Sequence, residues 1–185
     1  RACEEHDALR PVAVLDPRRF FDQEDEARRC CDRGCTVFRF FPQLQGWPFE
    51  FLPFVKICET LAELGARAIV HASAYGEATR VARAIGHLDL PVLLVGGGYA
   101  NIGELIAVLA EYPTMHCDAH VQDGPFALEG LMRHGGEDRV IFGSNSPERE
   151  FLAPLLMARH AEIADSQRRA YLHDNALAFL GEAVA

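Results

Sequence analysis

His71 closes an apolar run, Arg67–His71, and is followed by Ala72-Ser73. An imidazole at a strand end suits a metal ligand or a general base, and equally a hydrogen-bonded structural histidine. His116, Asp118 and His120 alternate, so on an extended segment all three share one face. Imidazole and carboxylate together can bind metal. On a strand, however, an i, i+4 pair stands about 13 Å apart at ~3.3 Å per residue, so one ion cannot take both histidines. His120, nearer the strand end, is the one that can join His71; the plain alternative is polar residues packed or solvated there. Arg39 can pair a carboxylate if it points inward.

Other motifs are weaker. Gly96-Gly97-Gly98-Tyr99 could cradle a phosphate at the helix that follows. Asn101, however, stands where a dinucleotide fingerprint needs its third glycine, and no Gly-Lys-Ser/Thr follows. A tight turn or close packing is the favoured role. Gly143-Ser144-Asn145-Ser146-Pro147 is not a serine-hydrolase elbow. Two of Cys30, Cys31 and Cys35 fall on the buried stripe of a helix, which favours core packing over metal binding.

The elements that must position these residues alternate. Strands are predicted at Pro11–Leu15, Thr36–Phe41, Arg67–His71, Pro91–Val95, Met115–Val121 and Val140–Phe142. Helices are predicted at Glu24–Arg33, from Phe51 to Ala62, from Ala78 to Ile85, after Asn101, at Phe126–Arg133, and at 151–160 and 166–180. Asn101 with Glu104 three residues on approaches a capping box. The short, continuous apolar runs predict parallel strands buried on both faces. The series gives one α/β domain over 1–185. It fits an open doubly wound sheet or a piece of a (β/α)8 barrel, and ligands in both bind at the carboxyl ends of the strands.

Composition narrows the function classes. The 185 residues carry 18 basic and 27 acidic side chains, a net charge of −9. That balance, with no Lys/Arg run, argues against nucleic acid and anionic lipid as partners. Lys56 is the only lysine, and with so much alanine this suggests codon bias. No apolar run approaches a membrane span, and no signal-peptide pattern is visible. A cytoplasmic protein with free, mostly buried thiols is expected.

Four stretches together resemble the amidohydrolase-related branch of the metal-dependent hydrolases, the branch of the aminocarboxymuconate-semialdehyde-type decarboxylases. They are Val12–Pro17, Arg67–Ser73, Arg139–Pro147 and Tyr171–Gly181, the last with its Asn-Ala pair. The resemblance implies a (β/α)8 barrel with a divalent metal, most often zinc, at its mouth. The metal serves hydrolysis, or decarboxylation of a small carboxylated molecule. It also implies a role for each matching position. His71 matches a metal-binding histidine. Gly96 stands in place of a catalytic histidine, Asn145 in place of the closing aspartate, and the His-x-His strand is absent. The divergent site that remains has His71 for metal, His120 and Asn145 for catalysis, and Arg39 and Tyr99 for substrate.

Two readings of function follow. One is a metal-dependent hydrolase or decarboxylase with a depleted metal site. The other is a non-catalytic barrel kept as a binding or structural partner; a phosphate-binding module built on the triple glycine is a weaker third. A full barrel takes about 250 residues and a βαβ unit about 30, so six units predict that the first two are missing. Arg1 in place of Met agrees. Open sheet edges predict a homodimer or an upstream segment that covers them.

Overall fold

The computed structural model describes residues 2–6 and 8–183, so Arg1 lies outside the described residues. Six strands form one parallel sheet: β1 Val12–Val14, β2 Val37–Phe40, β3 Arg67–His71, β4 Val92–Val95, β5 Met115–Asp118 and β6 Val140–Ile141. Their spatial order is their sequence order, β1 to β6. Each strand is therefore followed by a crossover to its neighbour, as in a barrel wall, and the order never reverses as it does in a doubly wound sheet. The crossovers carry α1 Phe20–Asp32, α2 Leu52–Glu63, α3 Glu77–Ile85, α4 Ile102–Glu111 and α5 Ala127–His134. After β6 come α6 Leu152–His160 and a C-terminal helix, α7, over 165–180. A π-helical turn at Ala170–Asp174 interrupts α7.

The strand faces are unequal. Phe38, Phe40, Ala68, Val70, Val92, Leu94, Met115 and Cys117 are buried in one core with Ile57 and Leu61 of α2, Val81 and Ile85 of α3, and Leu105 and Leu109 of α4. The opposite, concave face carries Arg39, Ile69, His71, Leu93 and His116, all half-buried. Val12 and Val14 are 45% and 57% exposed. The expectation of strands buried on both faces is thus corrected: β1 and β6 do not pair, so the concave face is not enclosed by a complete ring. The thiols are also less buried than expected. All six cysteines are free, but only Cys58 and Cys117 are fully buried.

The two edges differ as well. Along β6, the Phe142 N–H donates to Tyr171 O at 3.0 Å. Asn175 Nδ2 donates to Val140 O at 2.8 Å and Glu137 O at 2.7 Å. The Asn-Ala stretch of α7 thus covers the edge of β6. The far end of α7 crosses below the concave face, where Arg67 Nε donates to Phe179 O at 2.9 Å. The Phe179 ring meets His116 edge-on at 5.3 Å. Arg10, just before β1, then pairs with Glu182 at 2.5 Å. Among the described residues β1 has no strand neighbour on its other side. Among the described residues no helix is long and apolar enough to cross a membrane.

Candidate functional site

The carboxyl ends of the strands surround a cavity of about 540 Å³ lined by Arg39, Phe41, Gln43, Leu44, His71, His120, Asn145 and Glu148. Four of the five residues singled out from the sequence meet there. Tyr99 does not: its ring lies over Gly124, where an added Cβ would come within 2.1 Å of it, and it lines none of the cavity.

Arg39 projects from β2 with its guanidinium carbon 4.7 Å from the centre of the Phe41 ring. Its Nε is buried and has no hydrogen-bond partner among the described residues. The loop beside it is fixed from below. Gln45 Nε2 donates to Leu15 O at 3.1 Å, and Gln45 Oε1 accepts from Trp47 Nε1 at 3.0 Å. Trp47 packs on Phe54 with centroids 5.0 Å apart. Gln43 reaches Glu77 across the mouth.

His71 stands at the tip of β3 with its ring against Gly96. A Cβ there would lie 2.6 Å from His71 Cε1, and Gly96 has a φ of +90°. The first glycine of the triple run therefore makes room for an imidazole. Burial lowers the His71 pKa, and the nearby Arg39 charge lowers it further, so the neutral ring is favoured. The loop behind His71 is tightly held. Glu77 accepts from Ser73 N at 2.8 Å and Ala74 N at 2.9 Å, and Asn101 Nδ2 donates to Ser73 O at 2.9 Å. Glu104 accepts from Gly76 N at 2.8 Å and from Thr79 N and Oγ1 at 2.7 Å each. The expected capping box is therefore corrected. Asn101 and Glu104 do not cap their own helix but secure the β3 loop and the start of α3, where donors would otherwise be orphaned.

The His116, Asp118, His120 alternation also divides. β5 ends at Asp118, not at Val121 as the sequence predicts, and the chain turns at His120. His116 faces the closed lower end, its Nδ1 3.1 Å from Thr114 O. Asp118 faces the mouth, and its Oδ2 accepts from His120 Nδ1. Along a continued strand these two side chains would be about 7 Å apart, so the turn creates the contact. Asp118 Oδ1 accepts from Gly96 N at 3.3 Å, and its other oxygen lies 2.8 Å from where a Gly143 Cβ would be. Both side chains are under a tenth exposed. Sequence reasoning named Asp118 but missed its pairing; a carboxylate two residues before a histidine at a strand end was the available signal. Asn145 sits opposite at a φ of +51°, with Nδ2 donating to Glu148 at 3.2 Å.

The metal expectation can be tested against these donors. Among the described residues no three His, Cys, Asp or Glu side chains come together in a way that could hold a metal ion. Asp118 is engaged on both oxygens, Asn145 is uncharged, and Arg39 places a fixed positive charge within reach of His71. Catalytic zinc normally takes three protein ligands, and this set does not fit.

No curated protein matches the chain significantly by sequence. Solved structures do match by fold. The 2,6-dihydroxybenzoate decarboxylase from Rhizobium aligns with a TM-score of 0.78 at 13% identity, over 97% of this chain and 73% of that one. An uncharacterised TIM-barrel protein from Bordetella bronchiseptica aligns at 0.82 and 15%, over 97% and 69%. The 5-carboxyvanillate decarboxylase from Novosphingobium aromaticivorans, complexed with manganese and 4-hydroxy-3-methoxy-5-nitrobenzoic acid, aligns at 0.77 and 12%, over 97% and 66%. These relatives share the barrel-type wall, are roughly a third longer or more, and include a metal-binding and small-molecule-binding member. The family model for amidohydrolases matches residues 1–181. With that match over nearly its whole length, on a wall of six βα units, the chain belongs to the amidohydrolase family.

Proposed function

We propose that the cleft takes a small carboxylated molecule, that Arg39 holds its carboxylate, and that the chemistry of the site is hydrolysis or decarboxylation. The observation that carries this reading is Arg39 itself. Among the described residues its guanidinium pairs with no carboxylate, its Nε is buried without a partner, and it lines the cavity. A buried donor left unpaired costs about 1–3 kcal/mol, and an anionic ligand removes that cost. Phe41 and Leu44 give the same wall an apolar surface for the body of the ligand. His120, in the turn after β5, and Asn145, in the loop after β6, face the ligand from the other side of the cavity as the catalytic groups. Tyr99 contributes only from outside the cavity.

In this family divalent metal supplies Lewis-acid activation of water or substrate. Zinc is the ion the resemblance implies, and His71 is the residue that would hold it here. With the remaining donors unsuited, the reading rests on anion binding. A second reading, a non-catalytic binding protein, draws support from the same donor set and from Asn145, which cannot act as a base.

Benzoate and benzamide test the first reading. By isothermal titration, benzoate should bind and benzamide should not, and Arg39→Met should weaken benzoate by about 10–100-fold, the range for a charged hydrogen bond. Equal binding of the two, or full affinity in Arg39→Met, would refute it. Elemental analysis of protein purified without chelator tests zinc directly. A near-stoichiometric content lost in His71→Ala would restore the metal reading.

A further inference from the structure

We infer that Asp118 and His120 form a proton-transfer pair that serves ligand held at Arg39 without a metal ion, and that the reaction it suits is hydrolysis of a carboxylate-bearing ester, lactone or amide. The inference rests on the Arg39 reading and goes beyond it by assigning the chemistry to two residues of β5 and its turn. A carboxylate oxygen accepts only, so the contact with Asp118 fixes the proton of His120 on Nδ1. In the neutral tautomer this contact selects, Nε2 is the nitrogen left free to accept a proton, and the ring lines the cavity shared with Arg39. Asp118 is itself fixed, by the Gly96 N–H on one oxygen and by the space that Gly143 leaves beside the other. A base oriented by a buried carboxylate is the arrangement that activates a nucleophile in hydrolases of unrelated fold. The other titratable side chains on the cavity, besides Arg39, are His71, whose ring lies against Gly96, and Glu148, hydrogen-bonded to Asn145. Neither competes for Nδ1.

The step balances with water as the only co-reactant. His120 Nε2 takes a proton as the water oxygen bonds to the carbonyl carbon. The bond to the leaving oxygen or nitrogen then breaks, and that atom takes the proton from Nε2. Asp118 touches no reacting atom and is a positioning residue.

The test uses mono-p-nitrophenyl glutarate, whose free carboxylate suits Arg39, with p-nitrophenyl butyrate as the uncharged control. The wild-type chain should hydrolyse the glutarate ester with saturation, and 1,10-phenanthroline should leave the rate unchanged. His120→Ala should lower kcat about 100-fold or more, as loss of general-base catalysis does, with partial rescue by added imidazole. Asp118→Asn should lower kcat at least tenfold at nearly constant KM, with the melting temperature followed alongside. His120→Gln provides a second variant should His120→Ala fold poorly. A rate lost to phenanthroline and restored by zinc or manganese would overturn the pair. So would unchanged kcat in both the His120 and Asp118 variants, or no hydrolysis of the glutarate ester at all. The Arg39 reading fails separately, if both esters turn over alike and Arg39→Met leaves KM unchanged.

Discussion

Single side chains in this cleft depend on glycines that stand aside for them. Gly96 combines a φ of +90° with a His71 ring atom 2.6 Å from where its Cβ would lie. Gly96→Ala should therefore cost about 1–3 kcal/mol from the backbone alone and turn His71 out of the cavity, measurable as a lower midpoint in urea and weaker benzoate binding. His71 also reports on Arg39. Burial lowers its pKa most, and the guanidinium adds to this. Replacing Arg39 with methionine should raise the His71 pKa part of the way to its ordinary value of about 6.5, as should neutralising Arg39 with a bound carboxylate; an NMR titration of the imidazole reads both. Arg39, His71 and His120 were legible as chemical groups because each stands at or beside the end of an apolar run. The contact between Asp118 and His120 is not legible in the same way, because it depends on a turn at His120 that the alternation along the chain masks.

At the scale of elements, periodicity carried the assignment. All six strands and the crossover helices form near where apolar spacing predicts them, since one buried face per element dictates that spacing, but β5 stops at Asp118 and α1 begins at Phe20, ahead of the predicted Glu24. The errors came where a signal serves a neighbour instead of its own element. Glu104 has the spacing of a helix cap, yet it binds three donors about 25 residues away in sequence. Glu104→Ala would strand those donors, and about 1–3 kcal/mol of stability should be lost, with Glu104→Gln losing less; equilibrium denaturation in urea distinguishes them. Asn175 is similar: the sequence marks it within a helical motif, but its amide serves the carbonyls of β6 and of Glu137.

For the molecule as a whole, acid should act in two stages. His71 and His116 both have pKa values lowered by burial, so the unfolded chain takes up their protons first. Stability should fall as pH drops through about 6.5, where the unfolded histidines charge. Asp16, Glu50, Asp174 and Glu182 are held low by arginine or histidine partners. Their contribution should persist until pH falls below about 4.5 and then be lost. Thermal melts between pH 8 and 4 should show both stages, and a flat profile above pH 5 would contradict the histidine part.

The clasp between Arg10 and Glu182 joins the region before β1 to the end of α7 where strand pairing does not. An exposed ion pair is worth about 0–1 kcal/mol, far less than a ladder of backbone hydrogen bonds. The gap beside β1 should therefore open more readily than the seams between β2 and β5, and salt should widen the difference by screening the pair. Amide hydrogens of Val12–Val14 should exchange with deuterium well before those of β3 and β4. Molar salt or Glu182→Gln should speed β1 alone. The sheet would then behave as an open wall with one soft edge, able to flex at β1 while the part that carries Arg39, His71 and His120 keeps its shape.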